Sequence, residues 1–296
     1  MLNMDKIESP FKIGLGTWQF GGRRAPDPNN DDAADIAAIQ FAIKSGINHI
    51  DTAALYAGGK AEELVGTAIK DFIRSDLFIA SKVLSDKMRY DEILQECEKS
   101  LKRLGLDYID LYYIHFPNLD TIEETAKAFN RLRAEGLIKN FGTCNTKIET
   151  IEKYHRYLDA PFFASQNHFN LIARESQKTG LVDYCRNQGI HFIAWRPLQL
   201  DLPEKNIVSL AKRGFYPLLD EIANKYGKTN AQIAARWLTQ QDNVSIIFKS
   251  GNPEHIKEII ATNDFVLSSE DWQNLSDNFP IQELIGFDSR GPLPLL

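Results

Sequence analysis

Gly46–Tyr56 reads GINHIDTAALY. An apolar run from Ile47 to Ile50 ends in Asp51, Thr52 and Ala53, and a phenol follows at Tyr56. A carboxylate at the downstream end of a buried strand adds little to a core. It suits a site at the mouth of an α/β barrel, where the C-terminal strand ends carry the chemistry.

The chain on either side fits that reading. Short strands are predicted at Phe11–Trp18, 47–53, 77–83, 108–115, 138–144, 162–168, 191–196 and 244–250. Helical spacing lies between them, at 32–44, 60–73, 90–104, 122–135, 147–157, 177–188, 217–226, 230–240 and 253–261. Strands that alternate with helices pair in parallel through helical crossovers. Eight such units are the count of a (β/α)₈ TIM barrel. A doubly wound sheet would want GxGxxG in its first turn, and GLGTWQFGG has the wrong spacing. The expectation is a single barrel domain over 1–296, with a helix near 269–278 and a tail ending GPLPLL.

The totals narrow the function. A net charge of −6 argues against a nucleic-acid partner. No run of about 18 apolar residues suggests a membrane span, and MLNMDKIESP has no apolar leader segment, so a cytoplasmic protein is expected. Cys97, Cys144 and Cys185 form no CxxC pair, which points to reduced thiols and neither disulfides nor zinc. A metal-dependent hydrolase would want clustered histidines, and no HxH occurs, so no metal is expected.

Polar residues stand at every predicted strand end: Thr17 and Trp18, Asp51, Lys82, His115, Cys144 and Asn145, Gln166 and Asn167, Trp195 and Arg196, Lys249 and Ser250. Taken singly, each has a plain structural explanation: a loop cap, a structural ion pair or a satisfied core histidine. Asp51, Tyr56, Lys82 and His115 on three consecutive strand ends argue for more. A tyrosine near its ordinary pKa of about 10 is a poor acid at neutral pH. A neighbouring ammonium lowers that value, and a carboxylate holds the ammonium in place. A histidine on the next strand can orient a substrate oxygen. The set suits proton transfer to or from a carbonyl/alcohol couple.

The same segments resemble the aldo-keto reductase family. GINHIDTAALY is similar to its G-x-N-x-x-D-T-A-x-x-Y signature, and DLYYIHFP to its D-L-Y-x-x-H-W-P segment. SLKRLGLDYIDLYYIH resembles the usual lead-in to the latter, and FIASKV takes the place of the strand ending in the catalytic lysine. IIFKSGNPEHIKE resembles the I-P-K-S segment that grips the adenosine phosphate of the cofactor. Motifs in the right order on the right elements carry weight that a single motif does not. The resemblance implies a (β/α)₈ barrel that reduces aldehydes and ketones with a nicotinamide cofactor. Tyr56 is then the general acid, Lys82 lowers its pKa, Asp51 supports Lys82, and His115 orients the carbonyl.

By the same resemblance NADP(H) is the expected cofactor, with NAD(H) also accepted. Thr17, Trp18, Asp51, Asn145, Gln166, Trp195, Arg196, Lys249, Ser250 and His255 are its expected contacts. Asn145 and Gln166 would meet the carboxamide and Trp195 would stack on the nicotinamide. Cys144 stands where the family has a serine, and a thiol is the weaker hydrogen-bonding group. Lys249 and Ser250 would meet the 2′-phosphate. His255 replaces a frequent arginine, and histidine lacks the permanent charge and forked donors of that residue. Ile259 stands where an asparagine is frequent. Weaker discrimination against NAD(H) is therefore expected.

The small-molecule carbonyl pocket is expected from Trp18, Tyr56, His115 and Phe116, with Trp195 as a further wall. Arg23 and Arg24 read most simply as solvated loop charges, or else as contacts for an anionic substrate group. The tail 279–296, with Phe287 and Arg290, is a candidate cover for the barrel mouth. The alternative function is a cofactor-binding regulatory or assembly subunit on the same barrel, since one fold hosts many functions.

Overall fold

The computed structural model describes residues 11–84, 86–199, 215–279, 287–288 and 291–292. Eight parallel strands close into one barrel in chain order. They are β1 (Ile13–Gly16), β2 (His49–Asp51), β3 (Phe78–Val83), β4 (Ile109–Ile114), β5 (Ile138–Cys144), β6 (Ala164–His168), β7 (His191–Trp195) and β8 (Val244–Phe248). Each predicted strand is present, most of them a residue or more shorter than expected. Thr17, Lys249 and Ser250 lie just past their strands, not within them.

The crossover helices are α1 (Asp32–Lys44), α2 (Lys60–Ile69), α3 (Tyr90–Leu104), α4 (Ile122–Ala134), α5 (Ile148–His155), α6 (Glu175–Lys178), α7 (Leu181–Asn187), α8 (Phe215–Tyr226) and α9 (Asn230–Thr239), and α10 (Pro253–Ile260) and α11 (Ser269–Asn278) follow the last strand. The single helix expected at 177–188 is two pieces. Gly180 has φ 75°, a left-handed conformation that glycine adopts without steric cost, and the chain breaks there between α6 and α7. α2 stops at Ile69, short of the expected 73.

Side chains alternate across each strand with a period of two. Ala80, Leu111, Tyr113, Cys144, Ala164, Ile193 and Ile247 pack together inside the barrel. Ile50, Ile79, Val83, Tyr112, Ile114, Phe192 and Ile246 join the larger core between strands and helices. Lys82 shares a face with Ala80, and Gln166 with Ala164, so both turn inward. Ser81 turns outward toward the helices.

Arg174, fully buried, ties α11 to the loop before α6. Its guanidinium donates to Leu171 O at 2.9 Å, Ser276 O at 2.6 Å and Leu275 O at 2.9 Å. Residues 200–214, between the strand expected at 191–196 and the helix expected at 217–226, and Arg290 with the Pro–Leu end of the tail lie outside the described residues. Phe287–Asp288 and Gly291–Pro292 pair as a short antiparallel ladder. No helix among the described residues is long and apolar enough to cross a membrane.

Candidate active site

The polar strand ends meet at the C-terminal mouth of the barrel. Among the described residues, the non-glycine positions with positive φ are Gln19, Ala57, Asn145 and Arg196, and all four follow barrel strands at this mouth. Such conformations cost of order 1–3 kcal/mol each and persist only where the surroundings over-determine them.

Asp51 and Lys82 form a fully buried ion pair through Oδ1 and Nζ. Lys82 also donates to Thr52 O at 2.8 Å. Burial works against the lysine charge, but Asp51 and Tyr56 outweigh it, and the ammonium pKa stands above the ordinary lysine range. The second oxygen of Asp51, Oδ2, accepts from Gln166 Nε2 at 2.8 Å. The backbone carbonyl of Asp51 accepts twice from Thr17, from its N–H at 2.9 Å and its Oγ1 at 3.1 Å.

Tyr56 lies in a tight turn past β2, half-buried at the mouth. The Lys82 ammonium is 5.0 Å from its ring centroid. Burial pushes the phenol up to about 12; Lys82 pulls down, and Asp51 and Cys144 push up. The lowering expected from Lys82 is therefore present but outweighed, because desolvation of a phenolate costs more than one ammonium returns. The phenol is fully protonated near neutral pH, the state a proton donor needs.

His115 faces Tyr56 edge-on, with centroids 5.8 Å apart. Burial, with Lys82 adding to it, holds its pKa well below the ordinary histidine range, so the ring is neutral. Its Nδ1 is buried without a hydrogen-bond partner among the described residues. Phe116 stacks on it at 4.6 Å, and Trp18 meets Tyr56 edge-on at 5.0 Å. The four pocket residues read from the sequence thus form one continuous aromatic run, Trp18–Tyr56–His115–Phe116.

The expected cofactor contacts divide. Asn145 donates through Nδ2 to His115 O at 3.2 Å and accepts from Trp195 Nε1 at 3.1 Å, which joins the ends of β4, β5 and β7. Its amide keeps one further donor hydrogen. Gln166 and Thr17 are engaged beneath the mouth, holding Asp51, rather than presenting free groups at its rim. Cys144 donates its thiol weakly to Gln166 Oε1 at 3.8 Å, and burial pushes its pKa up while Lys82 opposes. Lys249 is exposed, 5.2 Å from the centroid of the Phe20 ring, and makes no ion pair among the described residues. Ser250 Oγ accepts from Asn252 N at 3.0 Å in the turn that opens α10. His255 is exposed on α10, and Ile259 beyond it is buried in the core. Arg23 and Arg24 are exposed, as solvated charges should be.

His168, at the end of β6, escaped the sequence reading. Its ring stacks on Trp195 at 4.4 Å and 15°. Asn170 Nδ2 lies 3.3 Å from its Nε2 and donates to Arg196 O at 3.0 Å. Burial holds the His168 ring neutral, with a pKa of about 3, and Arg196 adds to that effect. The signal was available, since His168 ends FFASQNH as other polar residues end their strands. Tyr113, whose ring centroid is 5.8 Å from Lys82 Nζ, was hidden within the apolar body of β4.

A profile of the Aldo/keto reductase family matches residues 12–277. The chain is 36% identical over 271 residues to a glyoxal reductase of Bacillus subtilis (strain 168), covering 91% of this chain and 88% of that protein. It superposes with a TM-score of 0.84 on the crystal structure of a thermostable aldo-keto reductase, Tm1743, in complex with the inhibitor epalrestat, at 38% identity and over 91% of this chain and 95% of that one. An aldo/keto reductase from Klebsiella pneumoniae in complex with NADP and acetate superposes with a TM-score of 0.81, at 29% identity and over 95% of each chain.

Proposed function

The chain belongs to the aldo/keto reductase family, and from that premise we propose that it reduces aldehydes or ketones to alcohols with NADPH, using Tyr56 as the general acid. The observation that carries the reading is the protonated Tyr56 phenol, set between the buried Lys82–Asp51 pair on one side and the neutral His115 ring on the other.

The residues present fit the cofactor. Lys249, exposed beside the turn that opens α10, can meet a phosphate through its ammonium, while the Ser250 hydroxyl is already bonded to Asn252 within that turn. Asn145 has an unused amide hydrogen for a carboxamide, and Trp195 offers an aromatic rim. Gln166 Nε2 likewise keeps one hydrogen after its bond to Asp51, but it is buried beneath the rim. NADPH, when bound, supplies the hydride that reduces the carbonyl carbon.

The chain's own part is the proton. Tyr56 donates its phenolic hydrogen to the carbonyl oxygen as charge gathers there. The Lys82 ammonium, fixed by Asp51 and by Thr52 O, then stabilises the phenolate left behind. His115, with its ring neutral, orients the carbonyl oxygen toward Tyr56. Trp18 and Phe116 exclude water from the same space, which strengthens each of these charge interactions.

The test is NADPH oxidation across a panel of carbonyls, beginning with small dicarbonyls because of the similarity to a glyoxal reductase. Turnover is expected in the wild type. Tyr56→Phe should lower kcat by roughly 10²-fold or more while leaving the NADPH Kd within about twofold. Normal turnover by Tyr56→Phe overturns the role of the phenol. Tight NADPH binding without turnover on any carbonyl favours a regulatory subunit on the same barrel.

A further inference from the structure

Behind the mouth, outside the barrel wall, Glu62 is fully buried in the first turn of α2. It bridges two elements. Oε1 accepts from Ser81 Oγ at 2.5 Å, and Oε2 accepts from Arg103 Nε at 2.6 Å. Ser81 is the residue before Lys82 on β3 and points the opposite way. α2 begins directly after the turn that carries Tyr56.

We propose that Glu62 is a positioning residue for catalysis, a bracket that sets the distance between Tyr56 and Lys82 by tying the tyrosine turn to the lysine strand. The inference rests on the reductase reading given above.

Three observations support a bracket over simple packing. A fully buried carboxylate paired with arginine is a weak source of stability, because removing both charges from water offsets their attraction. Apolar residues would fill this seam between β3, α2 and α3 at no such cost. Next, the turn from Tyr56 to Lys60 is left-handed at Ala57 (φ 50°), Gly58 (φ 62°) and Gly59 (φ 95°). Ala57 is the strained member, since glycine takes such angles without steric cost, and a strained residue persists only where its surroundings over-determine it. Finally, Arg103 closes on the turn itself. A Cβ at Gly59 would lie 2.7 Å from Arg103 Nε, so the guanidinium packs on the glycine backbone while it grips Glu62. The turn is held from its inner side by Glu62 and from its end by Arg103.

The position of Lys82 against Tyr56 decides how far the ammonium offsets phenolate desolvation. Displacing a reacting group by about 1 Å costs on the order of 10²-fold in rate. Ser81 is the smallest member of the bracket and lies outside the barrel interior, so Ser81→Ala removes one hydrogen bond and adds no bulk.

The experiment compares Ser81→Ala, Glu62→Ala, Glu62→Gln and the control Glu63→Gln, an exposed neighbour on the same helix, in the full chain. Two readouts are taken. The first is kcat with a carbonyl that the wild type reduces, alongside the NADPH Kd. The second needs no turnover: the Tyr56 signal in protein labelled with ¹³C-tyrosine, assigned by its loss in Tyr56→Phe. Ser81→Ala should lower kcat about tenfold or more with Kd within about twofold, and should shift the Tyr56 signal. Glu62→Gln, which keeps an acceptor oxygen for Ser81, should recover part of what Glu62→Ala loses. Glu63→Gln should match the wild type in both readouts. A Tyr56 signal unmoved in Ser81→Ala overturns the bracket, whatever happens to the melting temperature. If the wild type reduces no carbonyl, the reductase reading fails, and the Tyr56 signal still decides the bracket.

Discussion

Gln166 donates its Nε2 hydrogen to Asp51 Oδ2 at 2.8 Å, across 115 residues of sequence. Since Oδ1 is taken by Lys82, both oxygens of this buried carboxylate are occupied by partners from different strands. Gln166→Leu would leave one oxygen without a donor, at a cost of about 1–3 kcal/mol. Lys82→Met would leave the buried carboxylate without its counter-charge, at about 3–5 kcal/mol. Chemical denaturation of the two variants should return that order. Equal or reversed losses would mean that Asp51 is held by something other than these two residues.

Several histidines are buried and neutral. Burial, aided by Lys82, lowers His49 to about 3. Burial, aided by Arg196, lowers His168 to about 3, and burial with Lys12 lowers His191 to about 4. In the unfolded chain each titrates near its ordinary value of about 6.5. Between those values the unfolded chain binds more protons than the folded one, so stability rises with pH there. It is fully present above about 6.5 and declines as pH falls toward about 3. Calorimetry should show the melting temperature falling across that window. In His49→Leu the dependence should be shallower, and an unchanged slope would remove His49 from this account.

Cofactor discrimination should turn on α10. Its turn carries Lys249 and Ser250, and the next cation-capable side chain there is His255, exposed and without the fork of an arginine. The wild-type preference for NADPH over NADH in kcat/KM should stay below about 10³-fold. His255→Arg should raise it by about tenfold, the scale of a charge-assisted hydrogen bond to phosphate. A wild-type ratio above the first limit, or no gain in the variant, would place discrimination elsewhere.

Arg174 should matter to stability and not to chemistry. It satisfies the carbonyls of Leu171, Leu275 and Ser276 and lies 4.7 Å from the centroid of the Trp237 ring. Burial lowers its pKa to about 10. Arg174→Leu strands carbonyls in an apolar seam, at about 1–3 kcal/mol for each one left unpaired. Arg174→Lys should recover little, because a single ammonium cannot span three carbonyls. The melting temperature should drop in both variants, with NADPH Kd unchanged within about twofold at low temperature.

The alternation of apolar runs and helical spacing was sufficient by itself for the eightfold barrel, because each crossover helix must cover the strand it follows. The four residues of the proposed acid site were equally legible, since charged and polar side chains at the ends of apolar strands have few structural uses. What those groups do to one another was decided only by tertiary structure. Alternation along β3 turns Lys82 into the barrel and Ser81 out to Glu62, and a short apolar strand does not reveal which face is which. Burial then reverses the expected pKa of Tyr56, and engages Gln166 and Thr17 with Asp51 beneath the rim. Desolvation and hydrogen-bond partnership depend on what surrounds an atom in three dimensions. GINHIDTAALY names the groups, but the closed barrel sets their protonation states and partners.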